Sequence, residues 1–164
     1  MVHVLDTQQL GRRGIIAATA VESGDGLVLF DTGPESTFEN VRAELTRLGA
    51  QINDVRHVFL SHIHFDHAGA AWRFAESGAT IYVHPRGAPH LIDPSKVVAS
   101  ATRIFGGDMQ KLWGEIAPIS EGSVRILEDM DVVRVGSLQV RAIATPGHAS
   151  HHHIYQWDDH VFGG

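Results

Sequence analysis

Cysteine is absent from the 164 residues, so the chain has neither disulfides nor thiolate metal ligands, and any coordinated ion must be held by histidine and carboxylate. With nitrogen and oxygen donors alone, zinc is the first expectation, and iron or manganese suit the same ligand types. No apolar run reaches about 18 residues, and Met1-Val2-His3-Val4-Leu5-Asp6 lacks the basic stretch and apolar core of a signal peptide. No membrane partner is therefore expected, and the expected location is cytoplasmic. Clustered positive charge is missing too. The formal charge is −6, and Arg12-Arg13 is only a pair between Gly11 and Gly14, the pattern of a solvated turn. Phosphate backbones call for a concentrated basic surface, so the expected partner is a small-molecule substrate and not a nucleic acid.

Histidine is what the chain has in quantity, with twelve residues. His62, His64, Asp66 and His67 fall within the hexapeptide His62-Ile63-His64-Phe65-Asp66-His67. In an extended or tightly turned segment, residues two apart project to one side, so His62 and His64 can converge on one ion. Asp66 and His67 then point elsewhere, an offset that suits a second ion and a two-metal site. Upstream, His57-Val58-Phe59-Leu60-Ser61 reads as a buried strand; downstream, Ala68 to Ala75 reads as one helix closed by Gly78. A first-turn position would place Asp66 and His67 near a positive helix end. Thr145-Pro146-Gly147-His148 follows the alternating strand Leu138 to Ala144 and repeats the order strand, turn, histidine, which makes His148 the expected third ligand beside His62 and His64.

An apolar content of 43% is enough for one domain spanning residues 1–164. Ile15 to Val21 and Leu27 to Phe30 read as strands that begin the first sheet, joined by a hairpin turn over Glu22-Ser23-Gly24-Asp25-Gly26. Ser36 and Glu39 form a capping-box pattern, followed by Phe38, Val41, Leu45 and Leu48 at helical spacing. With Ala79 to Val83 as the next strand, the run is β-α-β-α-β, an α/β layer architecture. Residues 84–114 read as a helical insertion beside the site, with Met109, Leu112 and Trp113 either in the core or in a substrate wall. His84 and His90 at its start have no diagnostic spacing. In His151-His152-His153, a strand would put His151 and His153 on one face, and one of the three could reach the mouth of the site.

Ser61-His62-Ile63-His64-Phe65-Asp66-His67-Ala68-Gly69, with Leu29-Phe30-Asp31-Thr32-Gly33 before it and Thr145-Pro146-Gly147-His148 after it, closely resembles the metallo-β-lactamase-fold hydrolase superfamily. The resemblance implies an αββα sandwich holding one or two divalent ions, the first on His62, His64 and His148, the second on Asp66 and His67. Asp31 would hold the ligand loop by hydrogen bonds. In that superfamily a bridging aspartate follows a strand like His160 to Gly164, and further elements follow it. The sequence is therefore expected to be the amino-terminal portion of a longer enzyme, with an exposed sheet edge at His160 to Phe162 that favours a homo-oligomer.

The expected chemistry is hydrolysis of a small ester, thioester, lactone or amide-like bond by water activated on the metal, with Asp66 as the catalytic carboxylate that orients that water and passes on its proton. Two alternatives stand beside it. One is a non-haem iron oxidoreductase resembling the persulfide dioxygenases, and the other a truncated metal-binding domain inactive on its own.

Overall fold

The computed structural model describes residues 1–24 and 26–164. The first sheet opens with β1 (Val2–Asp6), which pairs antiparallel with β2 (Ala17–Glu22), and β2 pairs antiparallel with β3 (Leu27–Phe30). It then turns parallel through β4 (Val55–Phe59), β5 (Thr80–Val83) and β6 (Val124–Ile126). Parallel neighbours need long crossovers, and helices supply them. α1 (Phe38–Arg47) joins β3 to β4, while α2 (Phe65–Ala68) and α3 (Ala71–Glu76) join β4 to β5. α4 (Ala88–Ile92), α5 (Ser95–Phe105) and α6 (Met109–Trp113) occupy the expected insertion before β6. The second sheet is antiparallel, in the order β10 (His160–Gly163), β9 (His153–Trp157), β8 (Leu138–Ala144) and β7 (Val132–Val135), which leaves β10 at an edge.

Side-chain alternation divides the core into two layers. On β3, Leu27 and Leu29 face the helices, while Val28 and Phe30 face the second sheet. On β4 and β5, Val58 and Ile81 go to the helix side, and Phe59 and Tyr82 to the sheet side. The inter-sheet layer is aromatic: Phe30 stacks on Trp157 with ring centres 4.4 Å apart, and Phe59 on Tyr82 at 4.3 Å. Each such fully buried ring contributes roughly 2–3 kcal/mol through burial alone. No helical residue belongs to this second core, so the described layers run helix, sheet, sheet. No helix among the described residues is long and apolar enough to cross a membrane.

Because β3, β4 and β5 are parallel, their carboxyl ends share one edge. Asp31 leaves β3 there, Ser61 and His62 follow β4, and His84 follows β5. This is how the sheet gathers the site.

Four local expectations need correction. The first sheet begins at Val2, not Ile15. No capping box forms at Ser36, whose hydroxyl donates to the Leu112 carbonyl (2.8 Å); α1 is entered instead through a single turn at Glu35–Thr37, where the Thr37 hydroxyl donates to the Pro34 carbonyl. The segment after the histidines is two short helices, not one. Thr32 takes the His67 carbonyl with both its amide (2.7 Å) and its hydroxyl (2.9 Å), and the Ala70 amide turns to Gly33, which ends α2 after one turn. Close packing makes Gly69 necessary at the break, since a side chain there would collide with the Phe65 carbonyl. Finally, β9 starts only at His153, so His151 and His153 do not share a strand face. The expected hairpin turn over Glu22 to Gly26 contains Asp25, which lies outside the described residues; the strands on either side of it do pair, Glu22 opposite Leu27.

Candidate metal centre

Asp31 organises the ligand loop. It is 1% exposed, and its carboxylate accepts from the Ser61 amide (2.7 Å), the Ser61 hydroxyl (2.7 Å) and His67 Nδ1 (2.7 Å). Its backbone sits at φ +55°, a left-handed conformation that aspartate tolerates better than most residues. The hydroxyl of Ser61 has one hydrogen, and Asp31 takes it. Ser61 Oγ therefore accepts from His62 Nδ1 at 3.0 Å, which places the ring proton of His62 on Nδ1 and leaves Nε2 as a bare lone pair.

That lone pair is buried and has no hydrogen-bond partner. Around it, ligand atoms of His62, His64 and His148 lie within 4.8 Å of one another. His64 Nδ1 and His148 Nε2 are 3.1 Å apart, and the rings of His64 and His148 lie 4.6 and 4.9 Å from that of His62. Burial, and then the neighbouring His67 and His64, push the pKa of His62 down to about 3; burial and His148 also hold His64 below the usual histidine range. Two neutral imidazoles aimed at one point, with a buried nitrogen otherwise unsatisfied, suit a cation that accepts nitrogen donors. The residues present therefore fit a divalent ion.

Asp66 and His67 stand beside this cluster as a pair, His67 Nε2 being 3.3 Å from Asp66 Oδ2. Burial alone would lower His67, but its hydrogen bonds to Asp31 and Asp66 raise it to about 10. For Asp66, burial pushes upward and the bond to His67 pulls back further, leaving its pKa below the usual aspartate value. Asp66 does lie in the first turn of α2, as expected, whereas His67 falls in the last turn of this one-turn helix and is governed by its two carboxylates. At the carboxyl end of the chain, Gly164 abuts Ser61 and Asp31 closely enough that a side chain on it would clash with both.

A cleft of about 530 Å³ opens beside the cluster, with His64, Asp66 and His151 at one end and α5 and α6 along its wall. Trp113 lines it, as do His90 and five residues of α5 that carried no signal in the sequence beyond helical spacing. Met109 and Leu112 do not line it. The Leu112 carbonyl instead takes hydrogen bonds from Gln9 and Ser36, and the Glu115 amide and carbonyl are held by Glu35 and Trp72. Gly114, at φ +74°, lets this strap pass against the Glu35 carboxylate, where a side chain would not fit.

The other histidines of the triplet do not line the cleft. His152 Nδ1 lies 2.7 Å from the Thr145 hydroxyl, and His153 is wholly buried with its ring centre 4.7 Å from that of His84. Neither ring nitrogen of His153 has a partner. Burial, followed by the charge of His84, lowers the pKa of His153 to about 4. The unfolded chain protonates this residue first, near 6.5, so its contribution to stability is complete above that pH and drains away as pH falls toward 4. His153→Leu is expected to leave urea stability unchanged within about 1 kcal/mol at pH 7.5 and to raise it by about 2–3 kcal/mol at pH 4.5. Urea midpoints measured across that range check this, and parallel pH profiles for the two proteins would contradict it.

Two sheets packed face to face, helices over one of them and a histidine cluster at the strand ends define an α/β sandwich built around a candidate metal site. The chain belongs to the metallo-β-lactamase superfamily, whose family model matches residues 11–162. Among solved structures it is similar to the subclass B3 metallo-β-lactamase MEM-A1 from a soil metagenome library, at 26% identity and a TM-score of 0.72, over 95% of this chain and 54% of that one. It is likewise similar to the metallo-β-lactamase MIM-2 (28% identity, TM-score 0.71, 95% and 53%). A third is the metallo-β-lactamase SMB-1 bound to 2-mercaptoethanesulfonate (26%, 0.71, 95% and 55%). The chain thus spans little more than half the length of the structures it matches.

Proposed function

We propose that this protein holds a divalent metal ion, zinc first, on His62, His64 and His148 and hydrolyses a small ester, thioester, lactone or related acyl substrate. The observation that supports this most is the bare, buried Nε2 of His62 facing the other two imidazoles. A bound divalent ion supplies Lewis acidity, lowering the pKa of water it coordinates and polarising a carbonyl oxygen.

The chain's own groups supply positioning and proton traffic. Asp31, through Ser61, holds the His62 ring in one tautomer and one orientation, so little is left to reorganise during reaction. Asp66, ionised and at the end of the cleft, accepts a proton at a carboxylate oxygen from the attacking water and returns it to the leaving group. Asp66 offers a carboxylate for a second ion, and His67 offers its Nε2 once that nitrogen gives up its proton, which makes a dinuclear centre the fuller form of this reading. The walls from α5 and α6 give the acyl group an apolar surface on one side.

Elemental analysis of protein purified without added metal, followed by assays on lactones, thioesters and phosphodiesters, tests the proposal. Bound zinc, iron or manganese with turnover of acyl substrates is the expected result. Failure to take up any of the three ions at micromolar concentration would overturn it.

A further inference from the structure

The wall of the cleft carries a second message. On α5, Val97, Ala101, Ile104 and Phe105 recur at the spacing of one helix face, and that face borders the cleft. Only Val97 of the four also packs against the main core. Ile104 is 74% exposed, and Phe105 packs edge-on against Trp113 with ring centres 5.3 Å apart. Apolar groups left beside water are unfavourable unless something apolar covers them. The volume of about 530 Å³ lies within the range of roughly 300–1,000 Å³ typical of small-molecule sites. Of the residues lining the cleft, Asp66 is the sole carboxylate and none is lysine or arginine, so away from the metal end only the His90 imidazole is there to meet a negatively charged substituent. The apolar face runs into the same space that His64, Asp66 and His151 border.

We infer that the substrate is an uncharged acyl compound with an apolar alkyl group, seated with its carbonyl at His64 and Asp66 and its alkyl chain along α5 toward Ile104 and Trp113. The position of the carbonyl rests on the hydrolase reading above; the alkyl site rests on the cleft alone. Val97, Ala101, Ile104, Phe105 and Trp113 are then the residues that set chain-length preference.

The test uses the 164-residue chain without metal. The neutral fluorophore 1-N-phenylnaphthylamine is bound and then displaced with n-butanol, n-hexanol and n-octanol. Each added methylene is expected to tighten binding about three- to fourfold. Ser100→Trp, which fills the cleft from an exposed position, and Ile104→Asp, which charges its wall, are each expected to flatten that dependence while circular dichroism and the thermal midpoint stay those of the parent. No fluorophore binding, displacement independent of chain length, or an unchanged dependence in both folded variants would overturn the inference. The hydrolase reading fails separately: a chain that binds no metal yet keeps the alkanol series loses the catalytic proposal and retains the alkyl site.

Discussion

His62→Ala is expected to lower metal affinity by more than about 100-fold and to abolish turnover. Loss of a partner that merely orients a ligand already costs about 10- to 100-fold, and His62 is itself the buried donor whose Nε2 has no other partner. The metal-free protein loses less. Truncating a buried ring and leaving Ser61 Oγ without its donor costs about 2–4 kcal/mol, so the variant is expected to fold with a lower midpoint. His152→Ala is the informative control. Its ring lies only 5.2 Å from that of His62, yet Nδ1 is engaged by Thr145, so metal uptake should persist. Equilibrium dialysis of both variants against zinc makes the comparison, and full metal content in His62→Ala would remove His62 from the ligand set.

The second large effect concerns a residue that touches no metal in this reading. Asp31→Ala leaves the Ser61 amide, the Ser61 hydroxyl and the His67 ring without their shared acceptor in a buried place. Breaking such a charged, buried network typically costs about 3–5 kcal/mol, and alanine at φ +55° adds roughly 1 kcal/mol of backbone strain. Asp31→Asn separates the parts. It tolerates the backbone and can still accept from Ser61, so its loss should be smaller; without the anion, however, the His67 pKa should fall from about 10 toward 6.5. By linkage, the stability that His67 adds is fully present below pH 6.5 and disappears as pH rises through 10, so the asparagine variant should lose the most relative to the parent at acid and neutral pH. Urea denaturation and titration of the His67 ring by NMR measure both quantities. Stability of Asp31→Ala within 1 kcal/mol of the parent would show that the network is dispensable.

Much of the candidate centre was legible because most of its residues are local. The spacing of His62, His64, Asp66 and His67 is a property of six consecutive residues, and a strand followed by a tight turn leaves them few arrangements. His148 was legible for the same reason, as the residue that ends a strand-turn unit beginning at Leu138. Strands β1, β6 and β7 were not, since short, partly exposed strands carry little periodic signal and exist through their neighbours. Ser36 and Glu39 show the opposite failure. Their pattern was correct for a cap, and a tertiary partner, the Leu112 carbonyl, took the hydroxyl instead.

The amino-acid sequence by itself determined which atoms could meet a metal and the order in which strands and helices deliver them, because these follow from residue chemistry and near-neighbour geometry. Tertiary structure decided which imidazoles converge. It set His148 against His64 across 84 positions, sent His153 into the core and left His151 at the cleft. It also fixed the His62 tautomer through Ser61 and Asp31, and turned one face of α5 toward open space. Those outcomes depend on distances between segments far apart in the chain, and only packing of the two sheets and their helices sets them.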